Sequence, residues 1–324
     1  MSVIIADVVA SAVKEGKPVV ALETAVLTSG LPHSIWEETF GDCPECLDAS
    51  VPINMAVAHA MSEAVHENGA LPVWIGVRNG SIYIGLTQLE LQSLAEDEEA
   101  SKVSYANLAQ TLQQGGCAGT TVATTLLACK LASPECPIRV LATGGIGGIH
   151  QNWTTRLDIS ADLVALATTP VCVVASGAKS ILDLHATVES LETVGVPTLG
   201  LGNDCFPPFI EKMSEHDPSV FCVETPQEVA DICTMHWNTL GMKSAVLTTV
   251  PVPELVAIER GSLTESLSNA EAAWLKTHQT PSSRTPFLLC ELATITHGKS
   301  LVANIALLCN NAARAAEIAI AIAK

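Results

Sequence analysis

Basic side chains are few: 16 Lys and Arg stand against 34 Asp and Glu, a net charge of −18 over 324 residues. Affinity for a nucleic-acid duplex comes mostly from clustered cations that neutralise phosphates, so this balance argues against a polymeric nucleic acid as partner. A small phosphorylated metabolite stays compatible, because one lysine and a few backbone N–H groups suffice to hold one phosphate. Long uninterrupted apolar runs are also lacking. The most apolar segments, 120–132 and 301–323, carry Thr, Asn, Arg, Glu or Lys throughout, so the hydropathy does not come from a membrane span. Asp7, Lys14 and Glu15 interrupt the first apolar stretch, MSVIIADVVASAV, and no basic segment precedes it, which speaks against a secretory signal. Internal repeats and low-complexity linkers are missing too, and one domain over residues 1–324 fits the length. The 11 Cys are odd in number and follow no framework, as expected of reduced thiols in a cytoplasmic protein. The exception is Cys43-Pro44-Glu45-Cys46, which could be redox-active, half of a zinc site, or neither. In a cytoplasmic chain the sequon Asn152-Trp153-Thr154 is expected to go unused.

What is present is a repeated alternation. Pro18-Val-Val-Ala-Leu22, Ile138-Arg-Val-Leu-Ala142, Val171-Cys-Val-Val-Ala175 and Ala245-Val-Leu-Thr-Thr-Val250 read as buried strands. Val73-Trp-Ile-Gly-Val77 and Ile82-Tyr-Ile-Gly-Leu86 flank Asn79-Gly80, a hairpin signal that makes the sheet mixed. Helical patterns cover 56–68, 120–131, 180–193, 226–240 and 301–323, the last apolar on most of its circumference and therefore buried. The expected fold is α/β, a three-layer α/β/α arrangement with a mixed central sheet. Residues 34–51, acidic and rich in Cys and Pro, read as a surface insertion.

Four places could carry chemistry. In Val174-Ala-Ser-Gly-Ala-Lys179-Ser-Ile-Leu a strand ends and small residues turn the chain, so Lys179 is expected at the start of the next helix. The positive end of a helix would favour the neutral amine that an imine-forming lysine needs. A solvated surface lysine fits the pattern equally well. Asp158-Ile-Ser160-Ala-Asp162 sets two carboxylates at i and i+4, and on one helical face they would repel by roughly 0.2–0.5 kcal/mol unless a cation or donor compensates. A hydrated divalent ion is one answer, and an ordinary N-cap with an acidic first turn is the other. Ala142-Thr-Gly-Gly-Ile-Gly-Gly-Ile-His150 follows a strand, and its glycines would let backbone approach a ligand, with His150 near a phosphate. It is neither GxGxxG nor a Walker loop, and a bare glycine cluster is often only a turn. Glu23 ends the first long strand, where α/β sheets present catalytic groups and where a partly buried carboxyl could donate a proton.

The order and wording of these segments resemble the pseudouridine-5'-phosphate glycosidase family, also called indigoidine synthase A-like. The matching stretches are VVALETAVLTSGLP, ENGALPVWIGVRNGSIYIGLT, KVSYANLAQTLQQGGCAGTTVATTLLAC, IRVLATGGIGGIH, LDISADLVALATTPVCVVASGAKSILDL, TVGVPTLGLGNDCFPPF, TPFLL and SLVANIALLCNNAARAAEIA, spanning nearly the whole chain. The insertion at 34–51 and a few residues at 133–136 look extra. The resemblance implies reversible cleavage of pseudouridine 5'-phosphate by water to uracil and ribose 5-phosphate. It implies Lys179 as the lysine that forms an imine with C1' of the ring-opened sugar, and Glu23 as the acid and base. It implies Asp158 as ligand of a hydrated divalent ion, typically Mn2+, and Lys102, Val122, Ser160, Ala161, Asp162 and Asn304 as substrate contacts, with His150 a candidate phosphate ligand. A homotrimer is implied as well. Two segments depart from the family pattern, and the changes that matter are Ala25, which loses a hydroxyl, and Ser29, which replaces an imidazole. Where relatives usually read Glu-Ser-Thr and then Ser-His-Gly-Met-Pro, this chain reads Glu23-Thr24-Ala25 and Thr28-Ser29-Gly30-Leu31-Pro32. An imine-forming lyase on a related sugar phosphate and a non-catalytic nucleotide-binding homologue are the competing readings.

Overall fold

The alternation of strand and helix holds along the computed structural model, which describes residues 2–133, 137–151, 153–155, 157–263, 269–270, 273–274 and 284–324. Asn152 of the sequon and the extra residues 134–136 lie outside the described residues. The first half runs β1 (Val3–Ile5), α1 (Asp7–Lys14), β2 (Val19–Glu23), α2 (Ile53–Glu67), β3 (Leu71–Arg78), β4 (Ser81–Ile84), α3 (Gln88–Ala95), β5 (Ser101–Val103), α4 (Leu108–Gln113), β6 (Ala118–Thr120) and α5 (Val122–Leu131). The second runs β7 (Val140–Ala142), α6 (Ala161–Thr168), β8 (Cys172–Ala175), α7 (Leu184–Thr193), β9 (Thr198–Leu201), β10 (Phe221–Val223), α8 (Pro226–Thr234), β11 (Val246–Thr249), α9 (Arg284–Ile295) and α10 (Lys299–Ala323).

The strands join in one sheet ordered β1-β4-β3-β2-β7-β8-β11-β9-β10, with β6 beside β3 and β5 beside β6. It is mixed, as expected: β3 pairs antiparallel with β4 and β6, and the other ladders are parallel. Asn79 and Gly80 take φ of 48° and 70°, the two positive values that a tight I′ turn demands. Every residue of β2 is buried, because both faces of a parallel sheet are covered. The pleat sorts the side chains between two cores. Val20, Leu22, Trp74, Cys172, Val174 and Val246 go to one face, with residues of α2, α8 and α10. Val19, Ala21, Val73, Ile75, Val173 and Leu247 go to the other, with residues of α1, α5 and α6. This is the three-layer α/β/α arrangement. Truncating a fully buried leucine such as Leu22 or Leu141 to alanine costs about 2–5 kcal/mol in cores of this kind.

Three sequence expectations need correction. The helix expected at 180–193 begins only at Leu184, capped by Asp183, whose side chain accepts from Ala186 N. The one expected at 226–240 changes to a wider π turn at Met235–Thr239. The helix carrying Asp162 starts at Ala161, so Asp158 lies outside it. α10 is long and apolar enough to cross a membrane by composition, but half of its most apolar window is buried inside the fold. It lies across β2, β7 and β8 and against α2 and α8, which makes it a core helix. The insertion at 34–51 is mostly exposed, as expected, and is anchored through Trp36, Phe40, Leu47 and Val51 on the core.

Candidate active site

A cavity of about 350 Å3 opens at the C-terminal ends of β2, β7 and β8, where parallel strands present loops rather than ladder partners. All ten residues singled out from the sequence line it: Glu23, Lys102, Val122, His150, Asp158, Ser160, Ala161, Asp162, Lys179 and Asn304. They come from positions up to 281 residues apart, so only the closure of the sheet brings them together.

Glu23 is the last residue of β2 and is 8% exposed. The Thr143 hydroxyl, just beyond β7, donates to its Oε1 at 2.5 Å. Burial raises its pKa above the ordinary value, while the Lys179 charge and the Thr143 hydrogen bond oppose the rise. The next residue, Thr24, turns away from the cavity. Its hydroxyl donates to the Ile75 carbonyl at 2.7 Å and accepts from Thr120 N at 3.0 Å, which ties β6 to the end of β2. The two departures from the family pattern that matter for shape, Ala25 and Ser29, both face the cavity.

Lys179 sits in the loop between β8 and α7, not at a helix start. The helix-end argument for its nucleophilicity therefore fails. The structure supplies another electrostatic setting, a second lysine. Lys102, on β5, is held down to about 8, first by burial and then by the Lys179 charge, with Asp162 and Glu23 pulling the other way. Two lysine side chains and a buried carboxyl thus share one partly dry space.

The two aspartates divide their work. Residues 148–150 and 158–160 pair as a short antiparallel ladder, in which His150 N donates to Asp158 O at 3.0 Å and Ser160 N to Gly148 O at 2.9 Å. Asp158 projects from this ladder, its Oδ1 4.0 Å from His150 Nε2, so neither the helical-face repulsion nor the N-cap role applies to it. The N-cap is Ser160, whose hydroxyl accepts from Asp162 N at 3.2 Å. Asp162 is buried, and both carboxylate oxygens are committed: Oδ1 accepts from Ala123 N at 3.0 Å and Oδ2 from Gly147 N at 2.8 Å. It clamps the first turn of α5 to the glycine loop.

The glycines of that loop make room for protein as much as for a ligand. A Cβ on Gly147 would lie 2.3 Å from Ser160 Oγ, and one on Gly148 would lie 2.4 Å from Thr187 Oγ1. Val122 and Ala161 open α5 and α6 at the cavity wall. First-turn N–H groups lack helical acceptors, and here several are taken by the protein itself, Ala123 N by Asp162 Oδ1 and Asp162 N by Ser160 Oγ.

Residues 8–321 match the family described as Indigoidine synthase A like protein. The chain belongs to that family. It is 40% identical over 311 residues to a pseudouridine-5'-phosphate glycosidase of Deinococcus radiodurans, covering 96% of this chain and 92% of that one. It is 38% identical over 316 residues to a protein of the same name from Geobacillus kaustophilus, covering 98% and 97%. Among solved structures, an indigoidine synthase A-like protein from Thermotoga maritima superposes with a TM-score of 0.81 at 30% identity, covering 99% of this chain and 97% of that one. The prealnumycin C-glycosynthase AlnA, solved in complex with ribulose 5-phosphate, superposes with a TM-score of 0.83 at 30% identity, covering 100% and 97%.

Sequence reasoning missed the residues that hold the family's cavity from behind. Asn311 of α10 is fully buried, and its Nδ2 donates to Thr143 O at 2.9 Å and to Gly144 O at 3.3 Å. Ser176, beyond β8, donates to its Oδ1 at 3.3 Å. One side chain thus joins the ends of β7 and β8, and a paired Asn inside an alanine-rich apolar helix was the available signal. Asn311→Ala removes the side-chain donor to Thr143 O and the acceptor of the Ser176 hydroxyl, while Gly144 O keeps Ser176 N at 2.8 Å, and we expect it to lower unfolding free energy by about 1–3 kcal/mol in urea titrations. A variant as stable as the wild type would deny the clamp.

Proposed function

We propose that the chain is a pseudouridine-5'-phosphate glycosidase that cleaves the carbon–carbon glycosidic bond to give uracil and ribose 5-phosphate. The relatives named for that activity align over nearly the full chain. The observation that carries the reading is the buried Glu23 carboxyl, with its raised pKa, in a cavity shared with Lys179 and Lys102. A C-glycoside offers no heteroatom leaving group to protonate, so a carboxylate pair of the ordinary glycosidase kind has nothing to act on. A lysine imine at C1' of the opened sugar supplies an electron sink and splits the difficult step.

In this reading Glu23, protonated more readily because it is buried, gives its proton to the furanose oxygen as Lys179 attacks C1' and the C1'–O bond breaks. The carboxylate takes a proton back from the Lys179 ammonium so formed and gives it to the uracil carbon as the C1'–C bond breaks. The imine left behind is hydrolysed by water to ribose 5-phosphate and free Lys179. The N-termini of α5 and α6, with Lys102, Ser160 and His150, hold the phosphate and ribose oxygens, and Asn304 borders the site. Among the described residues no group of three or more His, Cys, Asp or Glu side chains could cage a metal. We propose a hard ion, Mn2+, held by the Asp158 carboxylate and otherwise by water, as one carboxylate at the cavity wall permits. When bound, it would supply positive charge and ordered water to the substrate's oxygens. A homotrimer belongs to the same proposal, and exposed Leu157, Ile159 and Val164 offer apolar surface beside the site for it. So does a cytoplasmic setting, which suits the scattered free thiols.

The test is incubation with pseudouridine 5'-phosphate and Mn2+, with uracil release as the readout. Intact binding of ribose 5-phosphate with no uracil formed would overturn the assignment. Asp158→Asn should shift the metal titration of activity by about tenfold or more, as the loss of a ligand charge demands. An unchanged titration would remove the ion from Asp158.

A further inference from the structure

Behind the cavity wall, one hydroxyl has a single use. Leu22 pairs with Ala142 in the parallel ladder of β2 and β7, so one step further Glu23 and Thr143 stand side by side on the same face of the sheet. That face carries Ala21 and Leu141 and is covered by α5 and α6. Thr143 is 1% exposed and lies behind Glu23 rather than on the cavity wall. Its main chain is fixed twice: its N donates to Val174 O at 3.0 Å, and its O accepts from Asn311 Nδ2 at 2.9 Å. A β-branched side chain on a fixed main chain has little rotamer freedom. Among the described residues its hydroxyl has no partner but Glu23 Oε1, at 2.5 Å. Glu23 Oε2 has no hydrogen bond among them, and Glu23 lines the cavity.

We propose that Thr143 is a positioning residue for the proton donor: its hydroxyl holds Glu23 Oε1 and leaves Oε2 as the oxygen that passes protons to the substrate. This inference rests on the reading of Glu23 as acid and base. The last side-chain torsion of a glutamate is broad and two-fold, so without a tie either oxygen could face the substrate. The oxygen that accepts a short hydrogen bond is the less basic of the two, which puts the acid proton on the other. The tie also sets how readily that proton leaves, because a hydrogen bond to the ionised form favours it. Burial of Glu23 opposes ionisation most, the Lys179 charge from the loop after β8 assists it, Asp162 of α6 opposes it, and Lys102 of β5 assists it. His150 and Asp158, on the short ladder before α6, are the other titratable groups of the cavity wall.

Thr143→Val keeps the shape and both main-chain ties and removes the hydroxyl, whereas Thr143→Ser keeps the hydroxyl. Two readouts test them independently. In thermal melts, the stability that Glu23→Gln gains over its parent grows with pH until the folded parent's carboxyl has ionised. In a Thr143→Val parent that growth should extend about one pH unit further than in the wild-type parent, and in a Thr143→Ser parent it should end where the wild type's does. In assays of uracil release from pseudouridine 5'-phosphate, the carboxyl limb of the kcat/KM profile of Thr143→Val should move up by the same amount. Its kcat should fall about tenfold or more, with Thr143→Ser close to wild type. An unchanged Glu23 titration in Thr143→Val, unchanged turnover, or a serine variant as impaired as the valine one would overturn the proposal. No uracil from the wild type would sink the functional reading instead, and the melts would still decide whether Thr143 holds Glu23.

Discussion

Lys179→Ala is expected to abolish uracil release, because it removes the amine that attacks C1', and Lys102, which stands on β5, does not take that position. Removing a covalent nucleophile from an enzyme costs up to about 10⁶-fold in turnover. The physical question is which lysine attacks. Lys102 is the one whose pKa is held near 8, so a fraction of it is already neutral at physiological pH. Lys179 lies beyond β8 in the loop that faces Glu23, and its charge is the largest counterweight to the raised carboxyl. Trapping the imine with borohydride in the presence of ribose 5-phosphate separates the two. The adduct is expected on Lys179, with Lys102→Ala weakening substrate binding and still permitting a trapped product. An adduct on Lys102 with Lys179 unmodified would exchange their roles.

Glu23→Gln should lower turnover by about 10²–10⁴-fold, the usual contribution of a positioned acid–base group. Glutamine keeps the size of the side chain and an oxygen for the Thr143 hydroxyl, and it cannot carry protons between substrate atoms. A purely structural role would give a different signature. Because burial raises the folded-state pKa, the unfolded chain releases this proton first as pH rises from acid. The stability contributed by the protonated form is fully present below the ordinary carboxyl pKa and is lost as pH rises through the folded value. The glutamine variant has no such loss. Its stability relative to wild type should therefore improve as pH increases from about 4 to neutrality, where carboxyls of ordinary pKa titrate. Thermal melts across that range check the sign, and turnover at neutral pH checks the role. A Gln variant that turns over normally removes Glu23 from the proton transfers.

The sites that were legible in the sequence were those written in local pattern. Glu23 at a strand end, Lys179 after a strand, and the glycine run after β7 could all be placed because each follows a β-branched segment. The surroundings that give them chemistry were less visible. Lys179 looked like a helix-start residue because Ser180 onward has helical composition, but the chain makes a further turn before Asp183 caps α7. Asp158 and Asp162 looked like a repelling pair because their spacing suits a helix, whereas a short ladder with residues 148–150 holds the first apart from α6. The glycine loop looked like a ligand cradle, and much of its tightness comes from Ser160 and Thr187.

Apolar patterning determined the layers: a strand such as Val19–Glu23, apolar up to its last residue, must be covered on both faces, and a long helix apolar on most of its circumference must be buried. The tertiary structure decided the electrostatics. Desolvation of Glu23, the mutual effect of Lys102 and Lys179, and the double capture of Asp162 by backbone amides all depend on groups remote in the chain. A pKa depends on distance and dielectric in space, and neither is encoded by spacing along the sequence. The same holds for the clamp of Asn311 on Thr143, 168 residues away, which no local pattern could assign.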